Sequence, residues 1–461
     1  MSDDRAQPEP APAGVGTSPM QGLSPRLLIG LYVAVGLLPV LLAAVQGLPV
    51  RNLFRALSSG LVMVGFALLL VQFVLSGRFR QVSGQVGIDR TMRFHQLAAW
   101  AVLVLILIHP FLYAVPRLVD GPGAAFTSLN RMFTSPGLRT GVIAWWLLIL
   151  LIPLAVWRDR LPISYEAWRL SHGLGAAAIA ALSTHHTLQV GTYSAWPPLA
   201  WFWIALTALA LASLVFVYAV KPIMQMREPY RVVANRPVAE RMWEVAIEPE
   251  KGPAFDFAAG QFVWLNLGHS PFSVTEHPFS ISSAPHERPR IAFTIKESGD
   301  FTNRIGTIAE GTRAYVDGPH GNFSLAGRDA DRPIVLIAGG VGFAPIMGLL
   351  RHLAAAGHTH PVHLIYGNRA ESQILYRDEI MALADTLDLT VDLVLSEPPA
   401  DWAGRTGELS PDILEACLGA ADRDALYFVC GPLAMMDSVE AALARRGVRP
   451  ANIVSERFKY D

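Results

Sequence analysis

The chain has 461 residues, of which 52% are hydrophobic and 16% are charged, and its formal net charge is −1. A single soluble domain seldom has such a composition, and the near-neutral charge without a basic patch predicts no binding to nucleic acid. Only two cysteines are present, Cys417 and Cys430. They exclude a disulfide framework and a cysteine-based zinc or iron–sulfur site.

The apolar residues are concentrated before about residue 222 and the charged residues after it. Residues 1–24 are rich in Pro, Ala, Gly and Ser, which predicts a disordered tail. Residues 25–222 contain apolar runs long enough to cross a membrane, and they predict a bundle of six transmembrane helices surrounded by lipid. The predicted spans are 26–46, 57–76, 95–113, 141–157, 172–190 and 198–220.

Basic residues are unevenly distributed among the loops of this half. If the N-terminus is cytoplasmic, ten Lys and Arg residues lie on the inner side and five on the outer side. The spans predict an integral protein of the cell membrane, and this bias favours a cytoplasmic N-terminus. After an even number of spans, the polar half of the chain is then cytoplasmic.

Five histidines lie in the third and fifth predicted spans, where ionisable groups are costly and are usually functional. His95 and His109 are fourteen residues apart, and so are His172 and His186. Fourteen helical residues advance roughly 21 Å and return to nearly the same face. Because both spans run in the same direction, His95 lies level with His172, and His109 lies level with His186 or His185. Histidine is a common axial haem ligand, so the spacing predicts two bis-histidine, b-type haems stacked across the bilayer.

The choice between His185 and His186 depends on the shape of the fifth span. A regular helix favours His186, because thirteen residues would rotate His185 roughly 140° away from His172. A π-bulge would favour His185 instead. The arrangement resembles the ferric reductase transmembrane domain shared by NADPH oxidases and ferric reductases, where the fifth-span spacing is thirteen or fourteen. The resemblance covers residues 60–200 and leaves both histidines open.

The polar half changes pattern twice. Short alternating segments from about residue 229 predict a small antiparallel β-barrel over 225–326. From residue 333, apolar strands alternate with helical stretches, which predicts a parallel sheet with helices on both faces over 330–461. We therefore expect a multi-domain membrane protein that has a helical bundle, a β-barrel and an α/β domain, in that order.

The segment AGGVGFAP follows the apolar strand IVLI and precedes the helix IMGLLRHLA. Its glycines, Gly339, Gly340 and Gly342, allow the backbone to approach a pyrophosphate, and the following helix start offers free amides. A glycine loop between a strand and a helix is the context that a nucleotide site requires. The sequence therefore predicts that NAD(P)H binds at this loop.

Several motifs of the polar half resemble the ferredoxin–NADP reductase superfamily. They are HPFSISS (277–283), GPHGNF (318–323), FVCGP (428–432) and the GGxGxxP form that ends at Pro345. The resemblance implies that FAD binds the barrel, with Phe279 against the isoalloxazine and Ser280 hydrogen-bonded near its reactive nitrogen. It also assigns seven further positions to the FAD site, namely His277, Pro278, Thr294, Lys296, Thr302, Gly318 and Gly321.

Two more segments complete the expected site for hydride transfer. Cys430, Gly431 and Pro432 lie at a strand end where the same superfamily meets the nicotinamide. Near the C-terminus, SERF places Glu456 and Phe458 where the oxidase family has an acidic residue and an aromatic that covers the flavin. By this resemblance, the residues expected to act at the reaction centre are Ser280, Cys430, Glu456 and Phe458.

These expectations describe an NAD(P)H-dependent oxidoreductase of the oxidase or ferric reductase type. A flavin is required because NAD(P)H gives two electrons together, whereas a haem iron accepts one. Arg369 and Arg405 are candidates to pair with a 2′-phosphate, which favours NADPH over NADH. The expected acceptor is oxygen, giving superoxide, or a ferric chelate. The alternatives are a subunit that donates electrons to a protein partner and a haem-free, membrane-anchored flavoreductase.

Overall fold

The computed structural model describes residues 22–50, 52–76, 78–418 and 424–457. The chain divides into two compact units, Gln21–Pro222 and Ile223–Lys459. Apart from its last three residues, the predicted disordered tail, 1–24, lies outside the described residues.

The first unit is helical. Its helices are α1 (Pro25–Val45), α2 (Leu53–Val71), α3 (Arg80–Ser83), α4 (Ile88–Ala114), α5 (Pro122–Thr134), α6 (Arg139–Val156), α7 (Tyr165–Val190), α8 (Pro197–Val215) and α9 (Lys221–Arg227). The division between the two units lies within α9. Within the described part of the chain, five helical segments are long and apolar enough to cross a membrane. They are Pro25–Val45, Leu53–Val71, Ile88–Asp120, Pro136–Val156 and Pro197–Arg227.

The segment predicted as the fifth span is the exception. It forms α7, a helix of 26 residues, but it is not among the five apolar segments. Its length suffices to cross a bilayer, whereas its three histidines and several Ser and Thr residues lower its hydropathy. Five of the six predicted spans are thus matched by length and composition.

Two helices, α4 and α7, begin about two turns before the predicted boundaries. α4 starts at Ile88 rather than at residue 95, and α7 starts at Tyr165 rather than at residue 172. The apolar run determined the predicted start, but polar residues extend each helix by about two turns. Ser164 caps α7, since its side chain accepts a hydrogen bond from the backbone amide of Ala167.

The core of the first unit lies around α2 and α8. Phe66 and Leu70 of α2 are buried together with Trp203 of α8. Small residues bring the helices close: a Cβ atom on Gly65 would lie 3.1 Å from Cβ of Leu105 on α4. Many large apolar side chains point outward instead, and the exposed fraction of Leu97 is 70%. Such an apolar exterior suits a lipid solvent.

The second unit begins with an antiparallel sheet. Its strands are β1 (Tyr230–Ala239), β2 (Met242–Pro249), β3 (Phe262–Leu267), β4 (His277–Ser280), β5 (Ile291–Lys296) and β6 (Arg313–His320). Their order across the sheet is β4-β3-β6-β1-β2-β5. A single bridge between Ile281 and Phe293 connects the β4 edge to the β5 edge. The sheet therefore curls into a partly closed barrel around an apolar interior.

A parallel sheet with flanking helices follows. Its elements are β7 (Ile334–Gly339), α10 (Phe343–Ala355), β8 (Val362–Asn368), α11 (Arg377–Leu383), β9 (Leu389–Leu395), β10 (Arg405–Thr406), α12 (Pro411–Cys417), β11 (Leu426–Cys430), α13 (Leu433–Arg445) and β12 (Ile453–Ser455). The strand order is β10-β9-β8-β7-β11-β12. The predicted order of helical bundle, antiparallel sheet and parallel sheet is confirmed.

The barrel and the parallel sheet contact each other within the second unit. Gly348 of α10 lies against the segment after β4, where a Cβ atom would be 3.0 Å from the Ile281 carbonyl oxygen. Arg351 Nη1 donates a hydrogen bond of 2.9 Å to the Ser282 carbonyl oxygen. Tyr376 Oη donates to Glu244 Oε2 at 2.8 Å. Buried polar contacts thus join the two sheets.

Candidate functional site

The glycine loop after β7 lies beside the end of β11. A Cβ atom on Gly342 would lie 2.5 Å from the Cys430 carbonyl oxygen, and one on Gly431 would lie 3.0 Å from the Gly339 backbone nitrogen. Only glycine permits these approaches. Gly340 has φ +53°, with open space where a side chain would be.

The position of this loop in the sheet is also informative. From β7 the chain proceeds through β8, β9 and β10 on one side, and β11 and β12 lie on the other side. Strand order therefore reverses between β7 and β11. Open parallel sheets bind ligands outside the carboxyl ends of their strands at such a point. Here the backbone of the glycine loop and the N-terminus of α10 offer amides that suit a pyrophosphate.

Three residues predicted from separate motifs form one cluster here. Cys430 is 2% exposed and Glu456, which follows β12, is 1% exposed. Burial, followed by the charge of Glu456, raises the pKa of the Cys430 thiol well above its usual value. The Glu456 carboxylate lies against Gly321, where a Cβ atom would be 2.5 Å from Oε1. Because the pKa of its thiol is raised, Cys430 is neutral at physiological pH.

The HPFS segment forms β4, which pairs with β3 so that Ser280 lies opposite Phe262. Ser280 is buried, whereas His277 and Phe279 are half-buried. Phe301 stacks on His277 with ring centroids 4.5 Å apart and lies 6.5 Å from the ring of Phe279. Phe301 was not predicted from the sequence, where its only signal is its position directly before Thr302.

The other residues predicted for the FAD site have diverse surroundings. Thr294 is buried, and its hydroxyl lies 2.8 Å from Tyr376 Oη, in the contact between the two sheets. Lys296 is exposed at the end of β5. Thr302 Oγ1 accepts hydrogen bonds from two backbone amides of its own turn, at 3.0 and 2.9 Å. A Cβ atom on Gly318 would lie 2.7 Å from a methyl group of Val263.

The remaining predicted positions frame the two motifs. Pro278 lies opposite Trp264 in the β3–β4 pair. Pro345 is buried in the first turn of α10, and Pro432 is exposed just before α13. Phe458 lies outside the described residues, so its covering role stays a prediction.

The two arginines considered for a 2′-phosphate differ in their contacts. Arg369 Nε donates to Glu397 Oε1 at 2.9 Å, and the side chains are 69% and 59% exposed. Such an exposed pair contributes about 0–1 kcal/mol and is easily exchanged. Arg405 instead donates to Asp392 Oδ1 at 2.8 Å and to the Ala416 carbonyl oxygen at 3.0 Å. Arg369 is thus the more available guanidinium.

In the first unit, histidines of α4 come close to histidines of α7 at two levels. His95 is close enough to His172 for the two rings to interact electrostatically, and the same holds for His109 and His186. We call these the first and second histidine pairs. The Nδ1 atoms of His95, His172 and His186 are buried and accept or donate no hydrogen bond within the described ranges.

These pairs fit a haem better than a bare metal ion. Among the residues that the structure describes, no group of three or more His, Cys, Asp or Glu is arranged to hold a metal ion. An iron bound in a porphyrin requires only two axial ligands from the protein. One imidazole from α4 and one from α7 provide that number.

His185 and His186 have different surroundings. α7 is α-helical throughout Tyr165–Val190, so the π-bulge that would favour His185 is not formed there. His185 is exposed and its Nδ1 lies 3.2 Å from Thr140 Oγ1. His186 is half-buried against Gly141, where a Cβ atom would lie 2.5 Å from the imidazole Nδ1. His186 therefore occupies the position that a regular helix predicts.

An aromatic stack borders the first pair. The rings of Trp168 and His172 are 5.5 Å apart and inclined by 26°, and the Arg158 guanidinium lies 4.8 Å from the Trp168 ring centroid. This stack was not predictable from sequence, because Arg158 and Trp168 meet only through the turn between α6 and α7.

Three family models match the chain in the order of these structural parts. The "Ferric reductase like transmembrane component" matches residues 61–184, a "FAD-binding domain" matches 231–327, and an "Oxidoreductase NAD-binding domain" matches 336–441. The fold and these matches define a membrane-associated oxidoreductase that uses FAD and NAD(P)H.

Relatives match the second unit. Ferredoxin–NADP reductase B of Sorangium cellulosum is 33% identical over 248 residues, which cover 51% of this chain and 100% of that protein. The reductase component of propane 2-monooxygenase from Rhodococcus jostii is 29% identical, over 51% of this chain and 64% of that protein. The NAD(P)H-flavin reductase of Vibrio harveyi is 27% identical, over 40% and 79%. The chain belongs to the ferric reductase and NADPH oxidase-like flavoproteins, with a ferredoxin–NADP reductase-like module.

Proposed function

We propose that this protein transfers electrons from cytoplasmic NAD(P)H, by way of FAD, to two haems in the membrane and then to an acceptor on the opposite side. The observation that carries the proposal is that His95 of α4 lies within electrostatic range of His172 of α7, and His109 of His186. The two histidines on each helix are fourteen residues apart. FAD accepts two electrons as hydride and releases them singly, as one-electron haem carriers require.

The histidine pairs have defined roles in this proposal. His95 and His172 would hold the inner haem, and His109 and His186 the outer one. α7 would be the fifth span in chain order and would complete the set of six, because its histidines need no apolar surroundings once they bind iron. Six spans with a cytoplasmic N-terminus leave the second unit on the cytoplasmic side, consistent with the excess of basic residues in the predicted inner loops.

The flavin and nicotinamide residues act by position. Phe279 would lie against the isoalloxazine, and the buried Ser280 hydroxyl would donate to the flavin ring. Cys430 is a neutral, buried thiol, so its role would be to shape the nicotinamide site rather than to transfer a proton. Glu456, held against Gly321, would place a carboxylate beside the same site.

Absorption spectroscopy of the purified protein tests the haem proposal. We expect reducible bis-histidine bands, two haems per chain and one FAD. His186→Ala should reduce the haem content to about one per chain, whereas His185→Ala, a matched control one residue away, should keep both. Absence of haem from the wild type, or loss of haem in the His185 variant alone, would refute this assignment.

We propose NADPH as the preferred donor, since the exposed Arg369 can exchange Glu397 for a 2′-phosphate. The first relative described above is a reductase of NADP, which agrees with this preference. Arg369→Ala should raise the KM for NADPH about tenfold, by the loss of about 1.4 kcal/mol, and leave the KM for NADH unchanged. Arg405→Ala serves as the control. If the KM for NADPH rises in the Arg405 variant and not in the Arg369 variant, the 2′-phosphate site is at β10 instead.

Oxygen, giving superoxide, is the proposed acceptor, and a ferric chelate is the alternative. NADPH oxidation should proceed with oxygen alone, and a cytochrome c readout should be abolished by superoxide dismutase. Turnover that starts only with a ferric chelate would replace the oxidase proposal by ferric reduction. Turnover that starts only with an added protein acceptor would identify an electron-donating subunit.

A further inference from the structure

Ser58 of α2 lies against one imidazole of the second histidine pair. Its side chain is fully buried, with an exposed fraction of 0%. Ser58 Oγ lies 2.8 Å from His109 Nδ1 and also 2.8 Å from the His109 carbonyl oxygen. We propose that Ser58 is a positioning residue, which fixes the tautomer and ring orientation of His109 and thereby tunes the haem that His109 would bind.

The hydrogen-bond pattern determines the tautomer. A serine hydroxyl carries a single hydrogen, and a carbonyl oxygen can only accept. The hydroxyl hydrogen is therefore donated to the His109 carbonyl, so that Ser58 Oγ must accept the hydrogen on His109 Nδ1. The proton of the neutral imidazole is then on Nδ1, and Nε2 keeps its lone pair. An imidazole bound to a metal through one nitrogen is oriented in this way by an acceptor on the other.

The first histidine pair lacks this support. Gln72, which caps the C-terminal end of α2, follows Ser58 by fourteen residues and lies level with His95 as Ser58 lies level with His109. The Gln72 amide makes no hydrogen bond within the described chain, and neither does Nδ1 of His95. The Gln72 contact with His95 is through its backbone. Only one of the two sites therefore has a hydroxyl acceptor.

A consequence follows for the two haems. An acceptor on Nδ1–H makes the imidazole more basic and favours the ferric state of the iron it binds. Loss of the Ser58 hydroxyl should raise the reduction potential at His109 without a change at His95. The backbone carbonyl of Ser58 also faces the His109 ring. We therefore expect Ser58→Ala to keep its haem.

This inference rests on the proposed haem sites and is tested by redox titration and electron paramagnetic resonance of the purified holoprotein. Ser58→Ala should raise the reduction potential of one haem by about 59 mV, which is about a tenfold change in its one-electron equilibrium. It should also alter one of the two low-spin signals. Ser58→Thr should restore the wild-type values. Ser59→Ala is the matched control, since Ser59 Oγ lies 3.0 Å from Tyr113 Oη on the same helix pair.

The outcomes separate the two claims. A wild type without bis-histidine haem would overturn the proposed function itself. Two normal haems in the wild type, with both potentials and both signals unchanged in Ser58→Ala, would overturn the role of Ser58 alone. Loss of one haem in Ser58→Ala with retention in Ser58→Thr would show that the Ser58 backbone carbonyl alone does not hold the imidazole, and would support the role of the hydroxyl. Equal losses in the Ser58 and Ser59 alanine variants would assign Ser58 to helix packing and also overturn it.

Discussion

Gly141 of α6 offers a direct test of the second histidine pair. Its α-carbon faces the His186 ring, and a Cβ atom there would lie 2.5 Å from Nδ1, 2.6 Å from Cε1 and 2.7 Å from Cγ. Gly141→Ala adds only this methyl group. The substitution therefore disturbs His186 without removing any hydrogen bond or charge.

The expected displacement can be estimated from these distances. Non-bonded atoms prefer separations of about 3.5–4.0 Å, so the His186 ring must retreat by about 1 Å. Overpacking of this kind costs about 1–3 kcal/mol. A metal site keeps its geometry only within about 0.5 Å. We expect Gly141→Ala to fold but to lose most of the haem held by His109 and His186, so that haem content falls from two per chain towards one.

The assay is the ratio of haem to FAD in the purified variant, together with its reduced spectrum. Gly137→Ala is the control, since a Cβ atom at Gly137 meets nothing within 4 Å. It should keep both haems. A Gly141→Ala protein with two haems and an unchanged spectrum would refute the placement of His186 as a ligand. Loss of FAD in the same variant would indicate general misfolding rather than a local effect.

Three further predictions concern the second unit. Gly342→Ala forces a Cβ atom to 2.5 Å from the Cys430 carbonyl oxygen. The KM for NAD(P)H, measured by rapid flavin reduction, should therefore rise about tenfold, which corresponds to a loss of about 1.4 kcal/mol. An unchanged KM would contradict binding of NAD(P)H at this loop. Burial, then a nearby carboxylate, raises the pKa of Cys417 to about 11 from 9.0, so at pH 8 iodoacetamide should label it about 100-fold more slowly than in the unfolded chain; equal rates by mass spectrometry would disprove this. The stability that the neutral thiol contributes is full below pH 9 and is lost as the pH rises towards 11. Tyr376→Phe removes the donor to Glu244 and should destabilise the unit by about 1–3 kcal/mol, measured as a lower Tm of the FAD-loaded protein; an unchanged Tm would show that the contact is dispensable.

The two units use different chemical groups in their proposed sites, because their surroundings differ. In the first unit, the polar groups of the proposed haem sites are a few imidazoles and the hydroxyl of Ser58, all of which lie between helices. In the second unit, the proposed reaction site consists of backbone at strand ends and of carboxylates such as Glu456. Each site uses the groups that its surroundings can accommodate, because buried polar atoms are costly without partners.

Much of this could be predicted from the sequence. The change from long apolar runs to short alternating segments determined the order of the three structural parts, since helix and strand periodicities are local properties. The glycine loop after β7 was predictable for the same reason, because its turn and the following helix are contiguous in the chain. The fourteen-residue spacing of the histidines likewise required only helix geometry.

The tertiary structure decided what depends on register between distant segments. The regular course of α7 and the contact with Gly141 support the proposal that His186 rather than His185 is the ligand, a choice that the spacing alone left open. The Ser58 contact with His109 joins residues 51 positions apart, and the approach of Glu456 to Gly321 joins the C-terminal strand to the barrel. Local sequence specifies which elements form, but the side chains that meet between them are selected by how those elements pack, and packing is a property of the whole chain.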